Sequence, residues 1–351
     1  MALTTRGKAL IAGGAVVAVL GGGAAALALA GDNPVAEALD PIVPGDQTPP
    51  KPCPLTNQPV GEEKEPPARP ALAVKVENTP DAMPLVGLDK ADVVYEEVVE
   101  GGITRFIVVF NCSSAERVGP VRSARTTDPK ILLQFSPHPL LAYSGGANPV
   151  VKVIKESGVV SMTEGDPASP FARDDAREVP HNLFVNTNKL WVAGQKRAKD
   201  EPVPEAIFSY GDLNKPSKKT PSAMIAFPLT DVEWRWAGGR WVRYQNGEEM
   251  LLESGDAIET DNVLIQQVKT TESDIVDVLG YPSPEVELTG TGKAWLLRDG
   301  KLVIGTWERG SEGDVTVFHT KKGDEFQLKP GTTFVELAPT GMFTAPVTFG
   351  S

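Results

Sequence analysis

From residue 222 to residue 351, short runs of alternating apolar and polar residues are split by Gly238-Gly239, Asn246-Gly247, Asp299-Gly300 and Lys322-Gly323-Asp324. Such pairs supply the positive φ angles that tight hairpin turns require. The spacing therefore predicts a meander of hairpins, a mainly antiparallel β domain over 222–351. Trp234, Trp236, Trp241, Trp295 and Trp307 stand within these runs, where alternation favours packing on a sheet over stacking on a sugar. "TGTGKAW" (289–295) lacks the full phosphate-loop spacing and reads as a turn among the hairpins.

Upstream the pattern changes. "ALAVKVEN" (71–78) and "ITRFIVVFN" (103–111) read as strands, and "ADVVYEEVVEGG" (91–102) fits either helix or strand. "DPKILLQFSPH" (128–138), "NPVVKVIKESG" (148–158) and "TNKLWVAGQKRAKD" (187–200) read as helices, the last capped by Thr187 or Asn188. Strands alternating with helices predict a mixed α/β layered domain over 69–221, so the fold class expected for the whole chain is α+β.

Residues 1–30 carry Arg6 and Lys8 and then an uncharged run from Ala9 to Ala30. That run is long enough to cross a bilayer, and its Ala28-Leu29-Ala30 end also suits a signal peptidase. A membrane anchor and a cleaved signal peptide both remain open, and both export the rest of the chain. Residues 31–68, rich in proline and acidic residues, predict a disordered stalk. Cys53 and Cys112 are the only cysteines. Outside the cell an even count favours a disulfide, with two separate thiols as the alternative. The net charge of −12 argues against nucleic acid as a partner, so any bound anion needs a local basic cluster.

Three stretches concentrate such chemistry. "LDKADVVYEEVVEGGITRF" holds Asp92, Glu96, Glu97, Glu100 and Arg105. Its carboxylates read as the wet face of a strand, or Asp92 helps to hold a divalent cation such as magnesium. "VGPVRSARTTD" places Arg122 and Arg125 around Ser123, and a planar guanidinium suits phosphate. Asp128 and Pro129 predict a helix start beside them, whose positive end would favour an anion. "FARDDAREVPHNLF" gathers Arg173, Asp174, Asp175, Arg177, His181 and Asn182. His181 and Asp175 are its acid–base candidates, with a structural hydrogen-bonding role as the plainer use of His181.

With "RPALAVKVENTPDAMPLVGLDKADVVYEEVVEGGITRFIVVF", "VGPVRSAR", "SGG", "RDDAREVPHNLF", "NVLIQQV" and "GTGKAWLLRDGKLVIGTWERG", the chain resembles the YerB-like lipoproteins over roughly residues 69–340. That bacterial family has two domains and no settled activity. The family's lipid-attached cysteine after the signal is missing, since Cys53 lies far beyond the apolar run. A second resemblance, of pattern alone, is to LytR-CpsA-Psr proteins, which bind a polyprenyl pyrophosphate and a divalent metal. It implies metal binding at Asp92, pyrophosphate on Arg122 and Arg125, and Arg173, Asp175 and Arg177 completing the pocket, although His181-Asn182 replaces that pattern's basic-glutamine ending. The expected function is an exported, membrane-tethered protein that binds an anionic or phosphorylated envelope component, a lipid or a glycan. Arg105, Arg122, Ser123, Arg125, Arg173, Arg177 and Asn182 would bind it, with phosphotransfer as the candidate reaction. The alternative is a non-catalytic scaffold whose arginines pair with Glu96, Glu97 or Asp175, and a hydrolase using Asp174 or Asp175 with His181 ranks third.

Overall fold

The computed structural model describes residues 49–61, 65–166, 169–198, 203–277 and 280–351. The anchor or signal at 1–30 and the stalk up to residue 48 lie outside the described residues. In the first half the predicted strands are present as β1 (Leu72–Glu77) and β3 (Thr104–Phe110), the stretch that fitted either helix or strand forms the strand β2 (Val93–Val98), and β4 (Leu140–Ala142) and β5 (Val160–Met162) are further strands. Helices α1 (Thr127–Leu132) and α2 (Asn148–Glu156) run between them, and α3 (Thr187–Gly194) follows β5. The side-chain oxygen of Asn186 caps α3 by accepting from Lys189 N at 3.0 Å, one residue earlier than predicted.

These strands do not form a sheet of their own. A 12-stranded sheet runs through both halves of the sequence. β2 lies beside the strand Thr333–Gly341 in parallel, and Thr333–Gly341 lies parallel to Asn262–Val276. β1, β2 and β3 pair antiparallel, while β1, β4 and β5 are parallel. The molecule is mostly β, and the mixed α/β layered character expected of the first half is only partly present. The hairpins of the second half form as predicted: Gly238, Gly239, Asn246, Gly247, Asp299 and Gly300 all have positive φ. "TGTGKAW" is instead mostly strand, within Gly290–Arg298. Gly292 is required there because a Cβ would lie 2.4 Å from Trp307 Nε1.

The sheet buries both faces, as its near-continuous apolar strands demand. Even-numbered residues of β1–β3, such as Val76 and Phe106, pack with Trp234 and Trp241 of a second, 6-stranded sheet built on Ser222–Phe227, Thr230–Ala237 and Arg240–Gln245. Odd-numbered ones, such as Ile107 and Val109, pack with Ile131, Leu132, Val150 and Ile154 of α1 and α2.

Residues 49–61, predicted as part of the stalk, are folded onto this body. Leu55 is buried in the second core, its carbonyl accepts from Tyr210 Oη at 2.6 Å, and Gly331 N donates to Thr56 O at 2.8 Å. One apolar anchor and these bonds outweigh the proline-rich composition around them. Cys53 and Cys112 form a disulfide with a Cα–Cα distance of 6.0 Å, closing a loop with a sequence separation of 59. On loop entropy alone such a closure contributes about 4 kcal/mol.

Candidate functional site

The register of β1, β2 and β3 sets out one row of charge. Glu77 of β1 and Glu97 of β2 both stand opposite Arg105 of β3, so all three side chains leave the same face of the sheet. Both carboxylates are otherwise engaged. Glu97 and Asp128 hold the ammonium of Lys75, Asp128 at 2.7 Å, with all three groups buried. Glu77 Oε2 meets His181 Nδ1 at 2.8 Å, and its Oε1 lies 3.2 Å from Arg122 Nε and accepts from Thr79 Oγ1 at 3.0 Å. Arg105, 7% exposed, is left with one long bond, Nη1 to Ser123 O at 3.4 Å, and its Nε has no partner. Among the described residues it makes no ion pair. Burial, and then the guanidiniums of Arg125 and Arg122, push its pKa down to about 10 against the weaker attraction of Glu100 and Glu77.

Arg105, Arg122, Ser123 and Arg125 line a single cavity of about 700 Å³. "VGPVRSAR" reaches it by threading between the Val86 segment, the strand Leu183–Val185 and β1. Gly119 N and O exchange bonds with Val86, and Val121 N donates to Leu183 O. Gly119 has φ 153°, and a Cβ there would lie 2.8 Å from Leu183 O, so only glycine lets the loop lie this close. Arg122 N then bonds Lys75 O at 2.9 Å, which fixes the side chain's departure point at the sheet's end. Arg125 is the most tied of the three arginines. Its guanidinium donates twice to Glu100 Oε2 and to the carbonyls of Ser123 and Ala124. Burial would raise the Glu100 carboxyl, but Arg125 and the Ser283 hydroxyl hold it below its ordinary value.

The helix end facing the arginines is not the predicted one. α1 begins at Thr127 and is only six residues long, and Asp128 turns its carboxylate back onto Arg125 N and Lys75. Instead Gly146 and Ala147, at the N-terminus of the nine-residue α2, line the cavity together with Val150. Ala147 occupies the cap position and offers no side-chain cap, so of the first-turn residues Asn148 and Val150 keep amides without a side-chain cap while Pro149 has no N–H.

The remaining predicted residues are dispersed. Arg173 binds Glu164 at 2.9 and 2.8 Å and Asn182 Oδ1 at 2.8 Å. Arg177 binds Glu253 at 3.0 Å and the carbonyls of Ala82 and Pro84. Asp175 is exposed and lines a separate cavity with Arg117, Arg173 and Lys189. His181 belongs to the same loop yet reaches Arg122 through Glu77, which brings it nearer to the arginine cavity than its loop neighbours. Asp92 lies in another cavity beside the disulfide, where it accepts from Asn111 N. Burial raises its carboxyl against the backbone bonds from Asn111, Ser113 and Cys112. Among the described residues no three His, Cys, Asp or Glu side chains gather as metal ligands. The carboxylates Glu96, Glu97 and Glu100, read as a wet face, are all buried.

Glu77 and the N-terminus of α2 were not singled out from sequence, and Glu100 was read there only as part of a wet face. Glu77 meets His181 across 104 positions, and no local spacing signals such a pair. The "SGGANP" stretch before α2 carried the one local hint, since glycines ahead of an Asn-Pro helix start leave amides open.

Comparison with known proteins agrees with this architecture. Residues 55–200 match the N-terminal domain, and residues 224–335 the C-terminal domain, of a family described as "Protein of unknown function (DUF3048)". The chain is 29% identical over 291 residues to a Bacillus subtilis (strain 168) protein named "Putative lipoprotein YerB", covering 79% of this chain and 83% of that one. The crystal structure of YerB protein from Bacillus subtilis superposes with a TM-score of 0.69 at 25% identity, covering 85% of this chain and 99% of that one. In sequence, in both of its matched halves and in fold, the chain belongs to the YerB-like family.

Proposed function

We propose that this is a cell-envelope protein whose arginine cavity binds a phosphate-bearing or otherwise anionic envelope component. The envelope setting rests on the lipoprotein designation in the name of the YerB relative and on the exported character of the N-terminal sequence. The anion rests on one observation above all: Arg105 is buried near two other arginines while both of its cross-strand glutamates are bound elsewhere. A buried charge in that condition costs stability unless a counter-charge joins it. Arg122 and the open N-terminus of α2 add to the same field, whereas Arg125 is largely neutralised by Glu100.

Binding is the part of the reading best supported. Transfer chemistry would fall to His181, which Glu77 orients and couples to Arg122. Arg173, Arg177 and Asp175 hold or edge the neighbouring loop and have no part in the proposed pocket.

Thermal stabilisation of the protein by pyrophosphate and by inorganic phosphate tests the reading. A rise of several degrees that Arg105→Met abolishes, in a variant that still folds, is the expected result. Equal stabilisation of wild type and Arg105→Met would place the anion elsewhere, and no stabilisation of wild type would favour a scaffold without this ligand.

A further inference from the structure

The mouth of the arginine cavity is rich in apolar groups that come from separate parts of the chain, with the Asp277 carboxylate, which accepts from Tyr281 N at 2.8 Å, among them. Leu229, 66% exposed, sits at the hairpin tip between Ser222–Phe227 and Thr230–Ala237, and its N–H is fixed by Gly102 O at 3.2 Å. Val276, 54% exposed, ends the long strand Asn262–Val276, and Tyr281, 53% exposed, begins the return from it. Ile103 and Val150 line the same cavity. Single exposed apolar residues are ordinary on any surface. Large ones from two distant hairpins around one opening, beside a buried cation without a carboxylate in contact, form a site with two chemistries.

We infer that the ligand is an amphiphile, a phosphate carrying a hydrocarbon chain. Its head would lie on Arg105 and Arg122, and its chain would leave across Ile103, Leu229, Val276 and Tyr281. This rests on the anion-binding reading above and adds the ligand's class. The cavity volume of about 700 Å³ falls in the range that accepts drug-sized molecules and far exceeds what a bare phosphate fills. A phosphorylated sugar would satisfy the guanidiniums but leave the apolar mouth in water. A hydrocarbon chain covers it, with affinity rising for each methylene buried.

The test is calorimetric titration of the protein with ethyl, butyl and octyl phosphate below their micellar concentrations, with glycerol phosphate as the polar ester. Kd should fall by about tenfold or more from ethyl to octyl phosphate. Glycerol phosphate should bind no better than ethyl phosphate. Leu229→Asp and Val276→Asp alter exposed positions, so both variants should fold and bind ethyl phosphate with little dependence on chain length. Arg105→Met should bind none of the series. Affinities within twofold across the series, or glycerol phosphate matching octyl phosphate, would overturn the amphiphile while leaving the anion site standing. Failure of every phosphate on folded wild type would remove both readings. Octyl phosphate binding equally to wild type and Arg105→Met would reduce the site to an apolar patch and overturn the proposal.

Discussion

Lys75 and Arg105 occupy neighbouring strands on one face of one sheet, yet they are buried under opposite conditions. The ammonium of Lys75 has two carboxylates, Glu97 and Asp128. Burial, reinforced by the like charge of Asp128, holds the Glu97 carboxyl above its ordinary value in spite of Lys75. Arg105 has no contact carboxylate, and two more guanidiniums stand nearby. Excess negative charge is thus closed inside the sheet, while excess positive charge is left where a cavity can deliver a counter-ion. The difference teaches that burial alone does not mark a binding residue. What marks it is burial with the expected partners diverted.

Removing the cation from the closed cluster should produce the largest effect. Lys75→Met leaves Glu97 and Asp128 buried without their cation and should cost about 3–5 kcal/mol, read by urea denaturation. The opposite sign is expected across the sheet. Arg105→Met removes a buried charge that no carboxylate contacts and should stabilise the unliganded protein by about 1–2 kcal/mol while abolishing its anion response. A loss comparable to that of Lys75→Met would make Arg105 structural and erase the distinction.

The sheet's other face offers a third condition. Glu336 pairs in register with Glu96, whose carboxylate is taken by Arg243 at 2.9 and 2.7 Å, and Trp234 Nε1 donates to Glu336 at 2.8 Å. Burial, and then the neighbouring Glu96 charge, raise the Glu336 carboxyl well above its ordinary value. In the window between those two values the folded protein holds a proton that the unfolded chain releases, so stability falls as pH rises through it. Glu336→Gln should flatten that slope and gain about 1 kcal/mol at neutral pH, measured as Tm against pH. An unchanged slope would assign it to another group. The smallest effect belongs to the solvated loop. Arg173→Ala breaks a half-exposed pair with Glu164 and should cost less than about 1 kcal/mol with no change in anion binding.

Much of the fold was legible because its signals are local. The paired glycines and Asn-Gly and Asp-Gly steps marked the hairpins, and the apolar runs marked β1 and β3. The joining of both halves into one sheet was not, because β2 and Thr333–Gly341 are parallel neighbours more than two hundred residues apart in sequence. For the site, guanidinium chemistry drew attention to Arg122 and Arg125, and the structure gathers them with Arg105. The loop carrying Arg173 and Arg177 looked equally promising because sequence shows charge but not its partners. Glu164 and Glu253 satisfy those arginines, and neither is predictable from the motif.

The disulfide has a mechanical consequence. β1, β2 and β3, with the buried row of charge that they carry, all lie inside the covalent ring closed by Cys53 and Cys112. Tension arriving along the chain from its N-terminal side passes at Cys53 directly to Cys112, and the strands between them bear none of it. While that bond is intact, a pull from the N-terminus cannot extend the chain between Cys53 and Cys112 that carries Arg105.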